Sequence, residues 1–395
     1  MVLSDKVAAL LSRASWIRKM FEEGDRLRQI HGADKVYDFT LGNPSVEPPE
    51  KFREELKKLA LAPLPGMHRY MSNAGYPETR RAVADVLTEQ AGLPFNASHV
   101  VMTVGAGGGL NVILKAILNP GDEVIALSPY FVEYGFYVDN HGGSLKVVPT
   151  TADFLPDMEA IGAAIGPKTR AIIINSPNNP TGVVYPAEAI EALNQLVEKK
   201  SVETGRTIFV LSDEPYAKIV FEGIKVPSVF RYITNAILVT SHSKDLALPG
   251  ERIGYIAASP QIKEVDRLIE GLIFCNRTLG FVNAPALMQR LVAGLQRESV
   301  DIREYQEKRD LLYNHLTSLG FETVKPQGAF YLFPRSPLPD DIEFTRKALA
   351  HNLLVVPGSG FGSPGYFRLA YCIDAEIIKR SLPAWTALAQ ELGIK

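Results

Sequence analysis

Three side chains within twelve positions, Ser241, Lys244 and Arg252, carry the groups needed to hold a phosphate beside a reactive amine. A lysine taken alone is most often a solvated charge. Here a hydroxyl lies three residues before the amine and a guanidinium eight residues after it. An amine next to a bound phosphate points to a Schiff base with pyridoxal phosphate, the cofactor whose protein partner is a lysine. A second anion site follows the apolar run Val100 to Val104, where Gly105, Ala106, Gly107, Gly108 and Gly109 stand in a row. A glycine turn opening onto a helix from Leu110 presents free backbone N–H groups and a helix dipole. It is not the dinucleotide fingerprint, because G-x-G-x-x-G would need glycine where Leu110 stands.

The pattern S-x-S-K followed by G-x-R over Ser241 to Arg252 resembles the lysine motif of the class I/II pyridoxal-phosphate aminotransferases, the fold-type I enzymes. The turn Asn175 to Gly182, ending Asn-Pro-Thr-Gly, closely resembles another family motif. The resemblance runs in the family's order from Gly42 to Arg368. It implies that Lys244 binds the cofactor and then moves the proton at the substrate's α-carbon. Asp213 would face the pyridine nitrogen, and Asn179 and Tyr216 the phenolic oxygen. Phe131 would stack on the ring, while Gly105, Ala106, Gly107, Ser241 and Arg252 hold the phosphate. With the loop nearly all glycine, backbone groups must serve where side-chain hydroxyls are missing. Gly42 and Asn179 would approach the substrate, and Arg368, a charge inside a late strand that costs desolvation unless it meets an anion, would bind the substrate carboxylate. Tyr70 matches a tyrosine that reaches the neighbouring subunit's cofactor phosphate, so a homodimer with shared sites is implied. Arg277 lies near where dicarboxylate-specific members carry a second arginine, in a small-residue loop before Asn283.

Taken one at a time, most of these residues have plainer readings: an N-cap for Asp213, a core aromatic for Phe131, a loop tyrosine for Tyr70, a structural arginine for Arg277. Their order along the chain is what favours the functional reading. The activity implied is ping-pong transfer of an amino group from an L-amino acid to a 2-oxo acid, with 2-oxoglutarate the expected acceptor. The same residues would serve a C–S β-lyase, because the cofactor carries the chemistry. A non-catalytic regulator on this fold would need an attached domain, and about 40 residues before Gly42 are too few for one.

The elements that must position these residues are legible as apolar runs ending in polar turns. Ala236 to Val239 reads as a buried strand delivering Lys244, Ile208 to Leu211 one delivering Asp213, and Arg170 to Ile174 one leading to Asn179. The fold class expected is α/β: a large domain with a mostly parallel, seven-stranded-type sheet, plus a smaller α/β domain. The boundaries expected are 1–45 for an N-terminal arm and part of the small domain, 46–290 for the large cofactor-binding domain, and 291–395 for the small C-terminal domain. Residues 4–30 carry apolar side chains (Val7, Ala14, Ile17, Phe21, Leu27, Ile30) near helical spacing. Val36 to Gly42 alternates like a strand, and a long helix with Glu304, Lys308 and Arg309 on a solvated face is expected over about 284–318.

At 395 residues, two lobes are the natural organisation. A net charge of −2 gives no reason to expect nucleic acid or an anionic membrane as partner. Cys275 and Cys372 form no C-x-x-C pattern, and the seven histidines show no metal spacing, so no metal is expected. Charges at Asp5, Lys6 and Arg13 leave no signal peptide, and the expectation is a cytoplasmic enzyme acting on small molecules.

Overall fold

A computed structural model describes residues 2–13, 24, 26, 28, 29, 32 and 35–394. Of the amphipathic arm, the helix Asp5–Arg13 is described. Ala14, Ile17, Phe21, Leu27 and Ile30 lie outside the described residues.

In chain order the first strands are β1 (Tyr37–Asp38), β2 (Val100–Thr103), β3 (Glu123–Ser128), β4 (Ser144–Pro149), β5 (Thr169–Asn175), β6 (Phe209–Asp213), β7 (Ala236–Ser241) and β8 (Gly254–Ala258). Strands β2 to β8 build a seven-stranded sheet in the order β2-β8-β7-β6-β5-β3-β4. Strand β8 runs antiparallel to β2 and β7, and the remaining pairs are parallel. Helices cover both faces, which is why the central strands are continuous apolar runs. On β5, Ile172 and Ile174 join a core with Val83 and Leu238, while Ala171 and Ile173 join a core with Leu110 and Val239 on the other face. The parallel sense brings the ends of β5, β6 and β7 to one edge, with Asn175 opposite Asp213 and Asp213 opposite Val239.

A second core gathers Phe39 with residues from the C-terminal third. Trp385 sits between Phe39, Phe321 and Phe367 at ring-centroid distances of 6.1, 5.9 and 6.2 Å. Around it lie β9 (Tyr331–Leu332), β10 (Leu353–Leu354), β11 (Val356–Pro357) and β12 (Phe367–Ala370). Strands β11, β12 and β9 form an antiparallel sheet, and β1 pairs in parallel with β10. The N-terminal strand thus belongs to the same lobe as the C-terminal helix Ala375–Leu392.

Several elements differ from expectation. The strand over 36–42 is reduced to Tyr37–Asp38; Phe39 turns into the second core, and Thr40, Leu41 and Gly42 line the cleft described below. The helix expected from Leu110 begins at Gly105 and includes the glycine run. Gly105 makes the turn into it with φ 77°, whereas Gly109 serves close packing: a Cβ there would lie 2.5 Å from the Val239 side chain of the sheet beneath. The long helix over 284–318 is two helices, Ala286–Ala293, which stops at Gly294, and Ile302–Ser318, whose N-cap Asp301 accepts the Arg303 N–H at 3.0 Å. Glu304 is on the solvated face, but Lys308 and Arg309 are buried. Arg309 donates to the Pro326 carbonyl and the Glu222 carboxylate, each at 2.8 Å, and Lys308 to Ser45 Oγ at 3.1 Å. Finally, Arg277 stands in the last turn of the helix Val265–Thr278 rather than in a loop.

Candidate active site

The β7–β8 connection explains the spacing of Ser241, Lys244 and Arg252. Antiparallel pairing sets Ser241 opposite Gly254, so the chain leaves and re-enters the sheet at one point. A single helical turn, His242–Asp245, carries Lys244, and a 3-10 turn, Pro249–Glu251, returns the chain to Arg252. Arg252 takes φ 51°, a left-handed conformation that turns the chain into β8. Buried Asp245 anchors the helix: its Oδ2 lies 3.2 Å from His242 Nδ1 and 3.1 Å from Lys218 Nζ. Its backbone carbonyl accepts the Val300 N–H at 2.7 Å, which ties the lysine turn to the connection between the two helices above.

These residues open onto a cleft of about 350 Å³. Gly42, Ala106, Gly107, Phe131, Asn179, Asp213, Tyr216, Ser241, Lys244, Arg252 and Arg368 all line it. Gly105 lies at its edge beneath Arg252, whose Nη2 donates to the Val104 carbonyl at 3.4 Å. The first-turn amides of Gly105, Ala106 and Gly107 have no acceptor within their own helix and are free for an anion. Ser241 Oγ is 3.0 Å from Ser243 Oγ beside them. Tyr70 and Arg277 do not line the cleft of their own chain: Tyr70 is 88% exposed, and Arg277 is exposed with its guanidinium 5.5 Å from the Phe274 ring centroid.

Asp213 is buried, and its two oxygens differ. Oδ2 accepts the Tyr134 hydroxyl at 2.7 Å, whereas Oδ1 is buried with no partner among the described residues. Burial pushes the carboxyl up to about 6 against the opposing bond from Tyr134. Asn175, at the end of β5, donates to the Asp213 carbonyl and accepts the Asn179 N–H, both at 2.7 Å, locking the Asn-Pro-Thr-Gly turn to β6.

Lys244 Nζ donates to the Gly42 carbonyl at 2.6 Å and lies 5.3 Å from the Phe330 ring centroid. Burial brings its pKa down to about 8, with the positive charges of Arg252 and Arg368 adding to the effect and Cys372 opposing it. Arg368 donates to the Thr40 carbonyl at 2.5 Å and to Asn179 Oδ1 at 3.2 Å, and its Nε is buried without a partner among the described residues. Its guanidinium lies 4.7 Å from both the Tyr331 and Phe361 ring centroids. Burial lowers its pKa, yet a guanidinium stays charged, so the site holds a cation lacking a counter-ion among the described residues. Tyr216 and Tyr331 share a hydroxyl contact of 2.9 Å, and burial raises the pKa of each. A side chain on Gly42 would collide with the Tyr331 hydroxyl, so only glycine lets this backbone come so close.

Sequence reasoning assigned no role to Tyr134, Asn175, Tyr137 or Tyr331. Tyr134 and Asn175 had a signal, one following Phe131 by about one helical turn and the other closing β5 in register with Asp213. Tyr331 arrives from a distant strand; the stretch Pro326 to Tyr331 resembles a small-domain signature of the family, but nothing local assigns the tyrosine a role.

Residues 34–383 match the model of the family described as Aminotransferase class I and II. The aspartate/prephenate aminotransferase of Thermus thermophilus is 36% identical over 89% of this chain and 90% of its own. Among solved structures, an amino transferase from Eubacterium rectale is similar at a TM-score of 0.96 with 41% identity, covering 99% of both chains. Thermus thermophilus aspartate aminotransferase with maleate superposes at a TM-score of 0.83 with 31% identity, covering 95% of this chain and 96% of that one.

Proposed function

This chain belongs to the class I and II aminotransferase family, a pyridoxal-phosphate-dependent family, and from that premise we propose how its cleft works and on what. It is an aminotransferase of the fold-type I class. The cofactor in this reading is pyridoxal 5'-phosphate, which when bound supplies the electron sink that lets an amino acid's α-carbon release a proton.

The residues fit that group. The unpartnered, buried Asp213 Oδ1, in one cleft with a lysine of lowered pKa and an arginine lacking a counter-ion, is the observation that carries the reading. A buried carboxylate oxygen without a donor is costly, and a protonated ring nitrogen would satisfy it. Asn179 and Tyr216 would face the phenolic oxygen and Phe131 the ring. The phosphate would meet the Gly105, Ala106 and Gly107 amides, Ser241 and Arg252.

Lys244 then does the proton work. With a pKa of about 8 its amine is a base near neutral pH, able to take the proton from the donor's α-carbon onto Nζ and to hand it on within the same half-reaction, before the 2-oxo acid leaves. Arg368 holds the α-carboxylate, because its planar fork is already set by Thr40 and Asn179 and lacks only an anion. Aromatic rings of Tyr331 and Phe361 keep it in place.

Aspartate is the proposed donor and 2-oxoglutarate the proposed acceptor. The Thermus relatives named for aspartate and prephenate, both dicarboxylates, support this choice. A homodimer is part of the reading, because Tyr70 is exposed on its own chain and free to reach a second copy's phosphate site. Residues 46–290 would form the cofactor-binding domain, and 291–395 with the arm 1–45 the smaller one, in keeping with the two cores. Cys275 and Cys372 are free thiols, and no described helix is long and apolar enough to cross a membrane; a cytoplasmic location suits both.

A panel of amino donors assayed against 2-oxoglutarate tests the proposal. Glutamate should form in step with the donor's 2-oxo acid, with aspartate the preferred donor. Release of ammonia without glutamate would replace transamination with elimination, and an active monomer in sedimentation would remove the shared site.

A further inference from the structure

The phosphate end of the cleft is short of side-chain donors. The loop contributes Gly105, Ala106 and Gly107, none with a polar group, leaving Ser241, Ser243 and Arg252 beside the free amides. A phosphate dianion offers many acceptor sites, and donors fixed in a dry site bind it best. Tyr137 supplies what the loop lacks. It lies on the helix Glu133–Asp139, six residues beyond Phe131, and its side chain lines the same cleft.

The two glycines of the loop mark where donors crowd in. A Cβ on Gly105 would lie 2.6 Å from Arg252 Nη2. A Cβ on Gly107 would lie 2.9 Å from the Tyr137 hydroxyl. Arg252 and Tyr137 therefore occupy, in the first turn of one helix, the space that side chains at 105 and 107 would otherwise fill. The cleft's other tyrosines are engaged, Tyr216 with Tyr331, and Tyr134 just behind them with Asp213. The Tyr137 hydroxyl, by contrast, makes no hydrogen bond to any described residue. Burial pushes its pKa up to about 12, with Glu133 and Asp213 adding and Arg252 opposing, so it remains a donor.

We infer that Tyr137 is a further cofactor-binding residue, donating its phenolic hydrogen to a phosphate oxygen in the place a side chain at position 107 would occupy. The inference rests on the pyridoxal-phosphate reading above. It also makes Gly107 and Tyr137 interdependent: with the hydroxyl gone, the nearest ring carbon is 3.6 Å from a Cβ at 107, an ordinary contact.

The test titrates cofactor-free protein with pyridoxal phosphate and with pyridoxal, which lacks the phosphate, following visible absorbance. Tyr137→Phe should raise the Kd for pyridoxal phosphate by about tenfold to a hundredfold, the effect of one hydrogen bond to a charged acceptor. The Kd for pyridoxal should not move, and the ³¹P resonance of the bound phosphate should shift. Gly107→Ala should weaken pyridoxal phosphate in the wild-type background and do so less in the Tyr137→Phe background. Equal losses for both ligands, or no loss for either, overturn the role of Tyr137. Wild-type protein that binds neither ligand overturns the cofactor reading itself, a distinct result.

Discussion

Lys244 donates from Nζ to the carbonyl oxygen of Gly42 at 2.6 Å, across 202 positions of chain. Two residues earlier, the Thr40 carbonyl receives Arg368 at 2.5 Å, so one extended segment holds both cations of the substrate end. Burial, reinforced by the charges of Arg252 and Arg368, weakens the hold of Lys244 on its proton, and the Gly42 oxygen can accept from the amine in either state.

Replacing that lysine should separate chemistry from folding. Lys244→Ala should lower transamination by about 10²–10⁴-fold, the usual contribution of a positioned acid–base group, and abolish the visible band of the lysine-bound cofactor. The lysine's folded pKa of about 8 is below its unfolded value of 10.5, so between them the unfolded chain binds more protons. Stability of the cofactor-free protein must then rise with pH across that window, and the variant should lose the rise. Turnover within tenfold of wild type, or an unchanged pH slope in denaturant titrations, would contradict this account.

Asp213 shifts in the opposite sense. Its folded pKa of about 6 lies above the usual 3.8, so between these values the folded chain keeps a proton the unfolded chain has released. Through Asp213 the cofactor-free protein should accordingly lose stability as pH rises from about 4 to 6, and this group restores none above that window. Asp213→Asn should remove that slope and leave the cofactor-free protein at least as stable at pH 7, while kcat falls by about 10²–10³-fold because the charge facing the ring nitrogen is gone. A variant with near-normal kcat would take Asp213 out of the site.

Most of this site was legible because each polar cluster follows an apolar strand, and parallel strands deliver their ends to one edge. Asp213, Asn179 and Lys244 were found that way, and β12 gave Arg368 away as a charge within an apolar run. The glycine run misled because glycine reads as a helix breaker, whereas Gly109 is where a helix presses against Val239. Lys308 and Arg309 misled because sequence records a charge but not its distant partners, here Ser45, Glu222 and Pro326. The role of Tyr331 was unreadable for the same reason, since it depends on Gly42 and Tyr216 meeting it across the lobes.

Arg368 offers a test of geometry against charge. Its fork spans Thr40 and Asn179 between two aromatic rings, an arrangement an ammonium cannot reproduce. Arg368→Lys should keep the positive charge yet cut kcat/KM for every amino donor by about 10²-fold, with most of the loss in KM. A loss confined to one donor class would mean that Arg368 reads the side chain instead of the common carboxylate.

Dicarboxylate specificity needs a further cation. Arg252 and Arg368 are the arginines lining the cleft among the described residues, and one is assigned to phosphate and the other to the α-carboxylate. A second substrate carboxylate is left without a partner from its own chain. Arg277 is exposed at the end of the helix Val265–Thr278 beside Phe274, itself 57% exposed, a placement suited to meeting a second copy. We predict that in the dimer Arg277 reaches the neighbouring cleft and pairs with the side-chain carboxylate of aspartate. Losing a charged partner in a desolvated site costs several kcal/mol, so Arg277→Ala should lower kcat/KM for aspartate and glutamate by about 10²–10³-fold. Alanine and aromatic donors should be spared, because they bring no second carboxylate to satisfy. Arg277→Lys should recover only part of the loss, since a point charge replaces a fork. Equal losses across all donors would assign Arg277 to the dimer contact alone, and no loss at all would leave the enzyme a transaminase of neutral donors.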